Sequence, residues 1–360
     1  KYILGQHRPE DFISTNLVIK NPAVPNNSQY LEIALKHQVP VETDVGIFFE
    51  LCSALIIGVT GTRGKSTTAT LIAEFLKQKY KVALAGNIRQ SVLLELPKIN
   101  KETLVVLELS SWQLEGLVRH KKSPAMAVIT NIMPDHLNRY KTMEEYIEAK
   151  KIIFKFQHKK DWLILNEEDS VVKNFSQEAK SQVFFFNKRQ VNQPSPQLLG
   201  EHNISNLAAA LKVAELFKIS EKKIQKALKN FKGLEGRLEL IAEIKGVKYI
   251  NDTCATIPEA TIAAINTLSN QSAFNPVILI AGGADKNLDF SRLSQTIKQK
   301  VKSLILLEGT ATDKLEKSIK SQTNMEIKKT DKMEEAVKLA AKEAKPGDIV
   351  LLSPACASFG

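Results

Sequence analysis

Short apolar runs alternate with amphipathic stretches along this chain, and that alternation sets its fold class. Leu55-Ile56-Ile57-Gly58-Val59 is continuously apolar, the pattern of a strand buried on both faces. A polar turn containing glycines follows, and a helix is predicted to open at Lys65 with Leu71, Ile72, Phe75 and Leu76 along one face. Further strands are predicted at 103–109, 125–130, 162–165 and 183–186, and the apolar run 82–85 ends another. Strands separated by helical patterns indicate a mostly parallel α/β sheet. A second α/β series begins near Leu234, with strands at 238–244, 247–250, 277–280, 304–307 and 349–352 and helices at 259–268 and 332–344.

The first 52 residues show two strands, 17–19 and 40–41, around a helix at 29–37, too little for an independent α/β domain. The expected organisation is therefore a partial N-terminal α/β domain over 1–52, a central mostly parallel-sheet domain over 53–234, and a Rossmann-like α/β domain over 235–360. Both ends are expected to be truncated, since Gly360 directly follows a strand and a Pro-Ala-Cys turn. Asn192-Gln193-Pro194-Ser195-Pro196 is expected to be a loop of the middle domain.

Composition narrows the class without changing it. A length of 360 residues suits two or three domains, and 43% hydrophobic with 25% charged residues suits a globular protein with real cores. No run of about 18 apolar residues occurs, so no membrane span is predicted. The start Lys1-Tyr2-Ile3-Leu4-Gly5 lacks a signal-peptide layout, which points to the cytoplasm. Cys52, Cys254 and Cys356 lie far apart and are expected as small buried residues, with neither disulfide nor zinc indicated. The net charge of +11 is spread over single lysines rather than an aromatic-interleaved patch. Nucleic acid is therefore not the expected partner, and a basic surface equally favours small anionic substrates.

The chemistry-bearing residues sit where strands end. Gly61-Thr62-Arg63-Gly64-Lys65-Ser66-Thr67 joins a strand to a helix, so backbone N–H groups and the positive helix end face an anion. Lys65 would reach the terminal phosphates and Ser66 could hold magnesium. Val59 stands where a full Walker pattern has glycine. Glu108 closes an otherwise apolar strand, and a carboxylate is costly to bury there unless paired or metal-bound. Asn87 and the stretch Asn131-Ile132-Met133-Pro134-Asp135-His136 end other strands. In a parallel sheet these four ends converge on one crevice. On bare residues Glu108 could also be a solvated edge glutamate, and Lys150 an ordinary surface lysine.

Taken together, these residues resemble the Mur ligase family of bacterial cell-wall synthesis over essentially the whole chain. The loop 61–67 resembles the family's ATP loop. The stretch 107–115, Leu-Glu-Leu-Ser-Ser-Trp-Gln-Leu-Glu, resembles its second motif, and 131–136 with Arg139-Tyr140 its third. Gly200-Glu201-His202-Asn203-Ile204-Ser205-Asn206, Gly236-Arg237, Asn251-Asp252-Thr253-Cys254-Ala255-Thr256 and Gly282-Gly283-Ala284-Asp285-Lys286 follow in order. Ser353-Pro354-Ala355-Cys356-Ala357-Ser358-Phe359 is similar to the branch that adds D-glutamate.

The resemblance implies an ATP-dependent ligase with a central P-loop-type ATPase domain. Its substrates would be UDP-N-acetylmuramoyl-L-alanine and D-glutamate, and the enzyme is expected to be a monomer. ATP would be bound by residues 61–67, Asn203, Arg237 and Asp252. One magnesium ion would sit on Ser66 and Glu108, and a second on His136 with Lys150 converted to a carbamate. Lys65, Glu108, His136 and Lys150 would carry the catalysis, with Lys151 as an alternative to Lys150. Asn87 would serve the muramoyl side, and Thr256, Lys286, Ser358 and Phe359 the D-glutamate side. Arg63 replaces a common asparagine, Arg89 a glycine and Cys254 a lysine. The alternatives are another amino-acid ligase of the Mur or folylpolyglutamate group, or a nucleotide-dependent switch that makes no amide bond.

Overall fold

The computed structural model describes residues 3–87, 91–135, 139–191, 201–231, 233–269, 276–285, 288–323 and 325–357, with side chains from residue 203 in the fourth of these stretches. The loop expected at 192–196 lies outside them. The described chain folds as two compact units, the first reaching to Phe231 and the second lying beyond it.

The first unit opens with α1 (Pro9–Ile13), β1 (Val18–Ile19), α2 (Gln29–Lys36), β2 (Val41–Glu42) and α3 (Asp44–Leu51). β1 and β2 pair in parallel as a two-stranded sheet. Next come β3 (Leu55–Thr60), α4 (Lys65–Leu76), β4 (Val82–Gly86), β5 (Leu104–Glu108), α5 (Ser111–Glu115), β6 (Met126–Ile129) and α6 (Met143–Lys155). β7 (Trp162–Asn166), α7 (Ser170–Asn174), β8 (Gln182–Phe186), α8 (Glu201–Leu216) and α9 (Glu221–Asn230) complete the unit. Its main sheet is parallel throughout, in the order β4-β5-β3-β6-β7-β8. Uniform direction puts the carboxyl ends of β3, β4, β5 and β6 on one edge, which is where the sequence places its polar turns.

α3 packs into the core of the main sheet. Val45, Phe48 and Phe49 of α3 are buried with Leu107, Leu109, Leu114 and Leu163 of the main sheet and its connections. Thr43 caps α3, its hydroxyl accepting from Gly46 N–H at 3.0 Å. α3 was not anticipated because Val45 to Leu51 is apolar nearly all round and shows no helical stripe.

The second unit holds β9 (Glu239–Ile244), β10 (Val247–Asn251), α10 (Pro258–Ser269), β11 (Val277–Gly282), α11 (Ser291–Lys300), β12 (Val301–Leu307), α12 (Thr312–Lys320), β13 (Ile327–Thr330), α13 (Met333–Glu343) and β14 (Ile349–Leu352). The sheet order is β13-β12-β11-β14-β10-β9, parallel except for the β9–β10 hairpin. Buried clusters lie on both of its faces, as a doubly wound sheet requires. The anticipated strands match to within three residues. β13 went unread because Ile-Lys-Lys-Thr carries no apolar run. Of the cysteines only Cys356 is fully buried, whereas Cys52 and Cys254 are half-buried, against expectation.

If α3 belongs to the main core, Phe48→Ala should destabilise the first unit by about 3–5 kcal/mol. Urea unfolding followed by far-UV circular dichroism checks this, and an unchanged midpoint would separate α3 from that core.

Candidate active site

The glycine-bearing loop begins where β3 stops. Gly61 and Gly64 both have positive φ, +148° and +80°. A Cβ on Gly61 would strike Thr130 Oγ1, and one on Gly64 would strike Asn206 Oδ1. Only glycine fits either position. α4 therefore starts at Lys65, directing its first-turn N–H groups and positive end toward the loop. Thr62 and Thr67 are buried and Arg63 is exposed.

Two lysines meet inside this loop. Lys65 Nζ donates to Gly61 O at 3.1 Å and to Thr62 O at 2.9 Å. Lys150 Nζ donates to the same Gly61 O at 2.8 Å and to Thr60 Oγ1 at 3.3 Å. Lys150 is 2% exposed, which overturns the bare reading of it as a surface residue. Burial, and then the charge of Lys65, push its amine well below the ordinary lysine range. Lys151 lies outside and pairs with Glu148 at 2.9 Å and Glu178 at 2.7 Å. Sequence spacing carried the signal: Tyr146, Ala149, Lys150 and Ile153 form the i, i+3, i+4, i+7 stripe that α6 buries.

Glu108 ends β5, an interior strand, and is 2% exposed, so it is not a solvated edge residue. Asn87 Nδ2 donates to its Oε1 at 3.0 Å, and Asn87 N–H to its backbone O at 3.0 Å. Its Oε2 is buried with no hydrogen-bond partner among the described residues. A carboxylate oxygen left in that state suits a hard cation, and Ser66, in the first turn of α4, carries the kind of hydroxyl such a cation would also accept. The donor set present thus fits magnesium. Among the described residues no three His, Cys, Asp or Glu side chains gather as a metal set. His136 lies outside those residues.

Several neighbours were not singled out from sequence. Asn206 of α8 sits against Gly64, accepts from Thr68 Oγ1 at 3.4 Å and donates to Asn203 Oδ1 at 3.0 Å. Asn203 is thereby tied to the loop through Asn206. Tyr146 OH and Thr62 Oγ1 share a hydrogen bond of 3.1 Å, and Met133 N–H donates to Thr62 Oγ1 at 3.0 Å. Buried hydroxyl and amide residues on helices have no sequence signature apart from their burial stripe.

In the second unit, Asp252 follows β10 and is buried. It accepts from Ser353 Oγ at 2.8 Å and from Leu238 N–H at 3.2 Å. Burial pushes its carboxyl up to about 6, against the lowering effects of those two hydrogen bonds and of the Arg237 guanidinium. Ser353 in turn shares a hydrogen bond of 2.8 Å with Thr261. Thr256 is half-buried in the turn between β10 and α10. Lys286, Ser358 and Phe359 lie outside the described residues, as does Arg89.

Residues 59–214 match the Mur ligase middle domain, and residues 236–356 the Mur ligase glutamate ligase domain. The chain is 41% identical to the UDP-N-acetylmuramoylalanine–D-glutamate ligase of Roseiflexus sp. (strain RS-1), covering 100% of this chain and 84% of that protein. It is 38% identical to the ligase of that name from Clostridioides difficile (strain 630), covering 100% of this chain and 83% of that protein. Its fold is similar to the crystal structure of a MurF ligase from Thermotoga maritima in complex with ADP, with a TM-score of 0.67 at 18% identity, covering 94% and 90% of the two chains.

Two titrations follow from the geometry. Lys150's folded pKa lies below its unfolded value near 10.5, so the unfolded chain binds more protons between the two and stability rises with pH there. In CO2-depleted buffer at neutral pH, Lys150→Met should unfold at a higher temperature than the parent, with the gap closing toward pH 10.5; a lower midpoint would contradict the desolvated amine. Asp252 has the opposite slope: its folded pKa of about 6 exceeds the ordinary 3.8, so stability falls as pH rises between them. Denaturant midpoints from about pH 4 to pH 7 should show that fall flattened in Asp252→Asn.

Proposed function

The chain belongs to the Mur ligase family, and from that premise we propose that it joins D-glutamate to UDP-N-acetylmuramoyl-L-alanine at the expense of ATP, in peptidoglycan precursor synthesis. One observation carries the phosphate chemistry. Two lysine amines donate into a single glycine-bearing loop, and the strand beside it ends in a buried carboxylate with one oxygen that has no partner among the described residues. The choice of amino acid rests on the name shared by relatives that are 36–41% identical over nearly the whole chain.

In this reading the alanyl carboxylate oxygen attacks the γ-phosphorus, the bond to the β-phosphate oxygen breaks, and ADP leaves an acyl phosphate. The D-glutamate amine then attacks the acyl carbon, loses a proton and expels orthophosphate. Lys65 binds the transferring phosphoryl group and offsets its charge, and the loop N–H groups orient it. Asn203, Arg237 and Asp252 hold ATP, and Asn87 lies toward the muramoyl carboxylate while steadying Glu108. Thr256, Lys286, Ser358 and Phe359 take D-glutamate, whose two carboxylates call for cationic and hydroxyl donors.

Two magnesium ions, held by Ser66 and Glu108 and by His136 with Lys150, would supply charge neutralisation at the phosphates. Lys150 suits that role as a carbamate. Its amine, held well below the ordinary lysine range, can attack CO2 and lose a proton, turning an amine into an oxygen donor. Residues 1–52 belong to a uridine-nucleotide domain, 53–234 to the ATPase domain and 235–360 to the glutamate domain. The enzyme works as a cytoplasmic monomer. Among the described residues no helix is long and apolar enough to cross a membrane.

Phosphate release should require both the UDP-muramoyl acceptor and D-glutamate, and Lys65→Ala should lower kcat by about 100-fold or more. A matrix of acceptors against D- and L-amino acids checks this. Equal release without amino acid would favour a nucleotide switch, and release with another amino acid a different ligase.

A further inference from the structure

We propose that Asn131, just beyond β6, is a positioning residue that holds the phosphate loop in its anion-binding shape by gripping the Arg63 peptide from both sides. Its Oδ1 accepts from Arg63 N–H at 2.9 Å, and its Nδ2 donates to Arg63 O at 3.1 Å. One side chain thus supplies both halves of the pairing a neighbouring strand would offer. The backbone of Asn131 adds a third contact, its carbonyl accepting from Thr62 N–H at 2.8 Å. Thr130 Oγ1 gives Arg63 O a second donor at 2.7 Å.

The loop needs such a brace. Arg63 is exposed, belongs to no strand or helix, and lies between glycines of positive φ. Gly has the most conformational freedom to lose on ordering, so a loop built on two of them does not hold one shape unaided. The brace is itself anchored. Ile132 N–H donates to Asp169 Oδ2 at 2.8 Å, while Asp169 Oδ1 caps α7 through Val172 N–H at 3.0 Å. Asn166 Nδ2 donates to Thr130 O at 2.8 Å. The turn after β7 therefore fixes the turn after β6, which fixes the phosphate loop.

Both ends of the Asn131 amide are engaged by Arg63, so it acts through the loop and not on the nucleotide. This inference rests on the loop binding nucleotide phosphates, as proposed above.

The experiment measures ADP affinity by calorimetry, with and without magnesium, for the full chain and for Asn131→Leu and Asn131→Ser. Steady-state KM values for ATP and D-glutamate accompany it. Loss of two hydrogen bonds should weaken ADP binding about tenfold or more at either magnesium level, and raise the ATP KM in step. The D-glutamate KM should stay within about twofold, a split that general loosening of the fold would not give. The serine variant, shorter and polar, keeps the test available if leucine prevents folding. Unchanged ADP affinity would overturn the inference. So would a loss seen only with magnesium, which would make Asn131 a metal ligand, or an equal rise in both KM values. A parent chain that binds no ADP would instead remove the nucleotide reading itself.

Discussion

Two lysine amines donate to one carbonyl oxygen, Gly61 O, and the strand ends of the first unit gather around that pair. Like charges this close, one of them desolvated, are tolerated only where the surroundings favour the neutral form or an anion arrives between them. Burial and Lys65 both push Lys150 toward the neutral amine, while Asp135 and Glu108 act in the other direction. The paired amines thus give the loop a charge arrangement suited to an anion, as the proposed function requires.

Preorganisation of that kind needs rigid support, and the parallel sheet supplies it. Because β3 to β8 all run one way, the ends of β3, β4, β5 and β6 meet at one edge. Each contributes one piece there: the loop, Asn87, Glu108 and the Asn131 turn. Side-chain hydrogen bonds then link these pieces laterally, from Asn87 to Glu108 and from Asn131 to Arg63. α8 closes the other side through Asn206. The second unit has a comparable device of its own in the Asp252–Ser353–Thr261 chain, which joins the ends of β10 and β14 to α10.

How much was legible in advance follows from which signal each element carried. Strands buried on both faces, such as β3 and β5, announce themselves as unbroken apolar runs, and their ends were found to within a residue or two. The loop was legible because a glycine-bearing turn between strand and helix has few other uses. α3, apolar nearly all round, and β13, with two lysines in four residues, gave no periodic signal. Lys150 was assigned through a resemblance, although its place on the buried stripe of α6 was present in the residue spacing.

The sequence by itself determined the order of strands and helices, the glycines at 61 and 64, and the strand-end positions of Glu108, Asn87 and Asn131. These are local matters of periodicity and backbone freedom, which neighbouring residues settle among themselves. Tertiary structure alone decided that Lys65 and Lys150 share a carbonyl, that Glu108 keeps an oxygen with no partner among the described residues, and that Asn131 pairs with Arg63. The Asn131–Arg63 and Lys150–Gly61 contacts join residues 68 and 89 positions apart, across strands whose order in the sheet is set by how their faces bury together. Nothing in local pattern encodes that order.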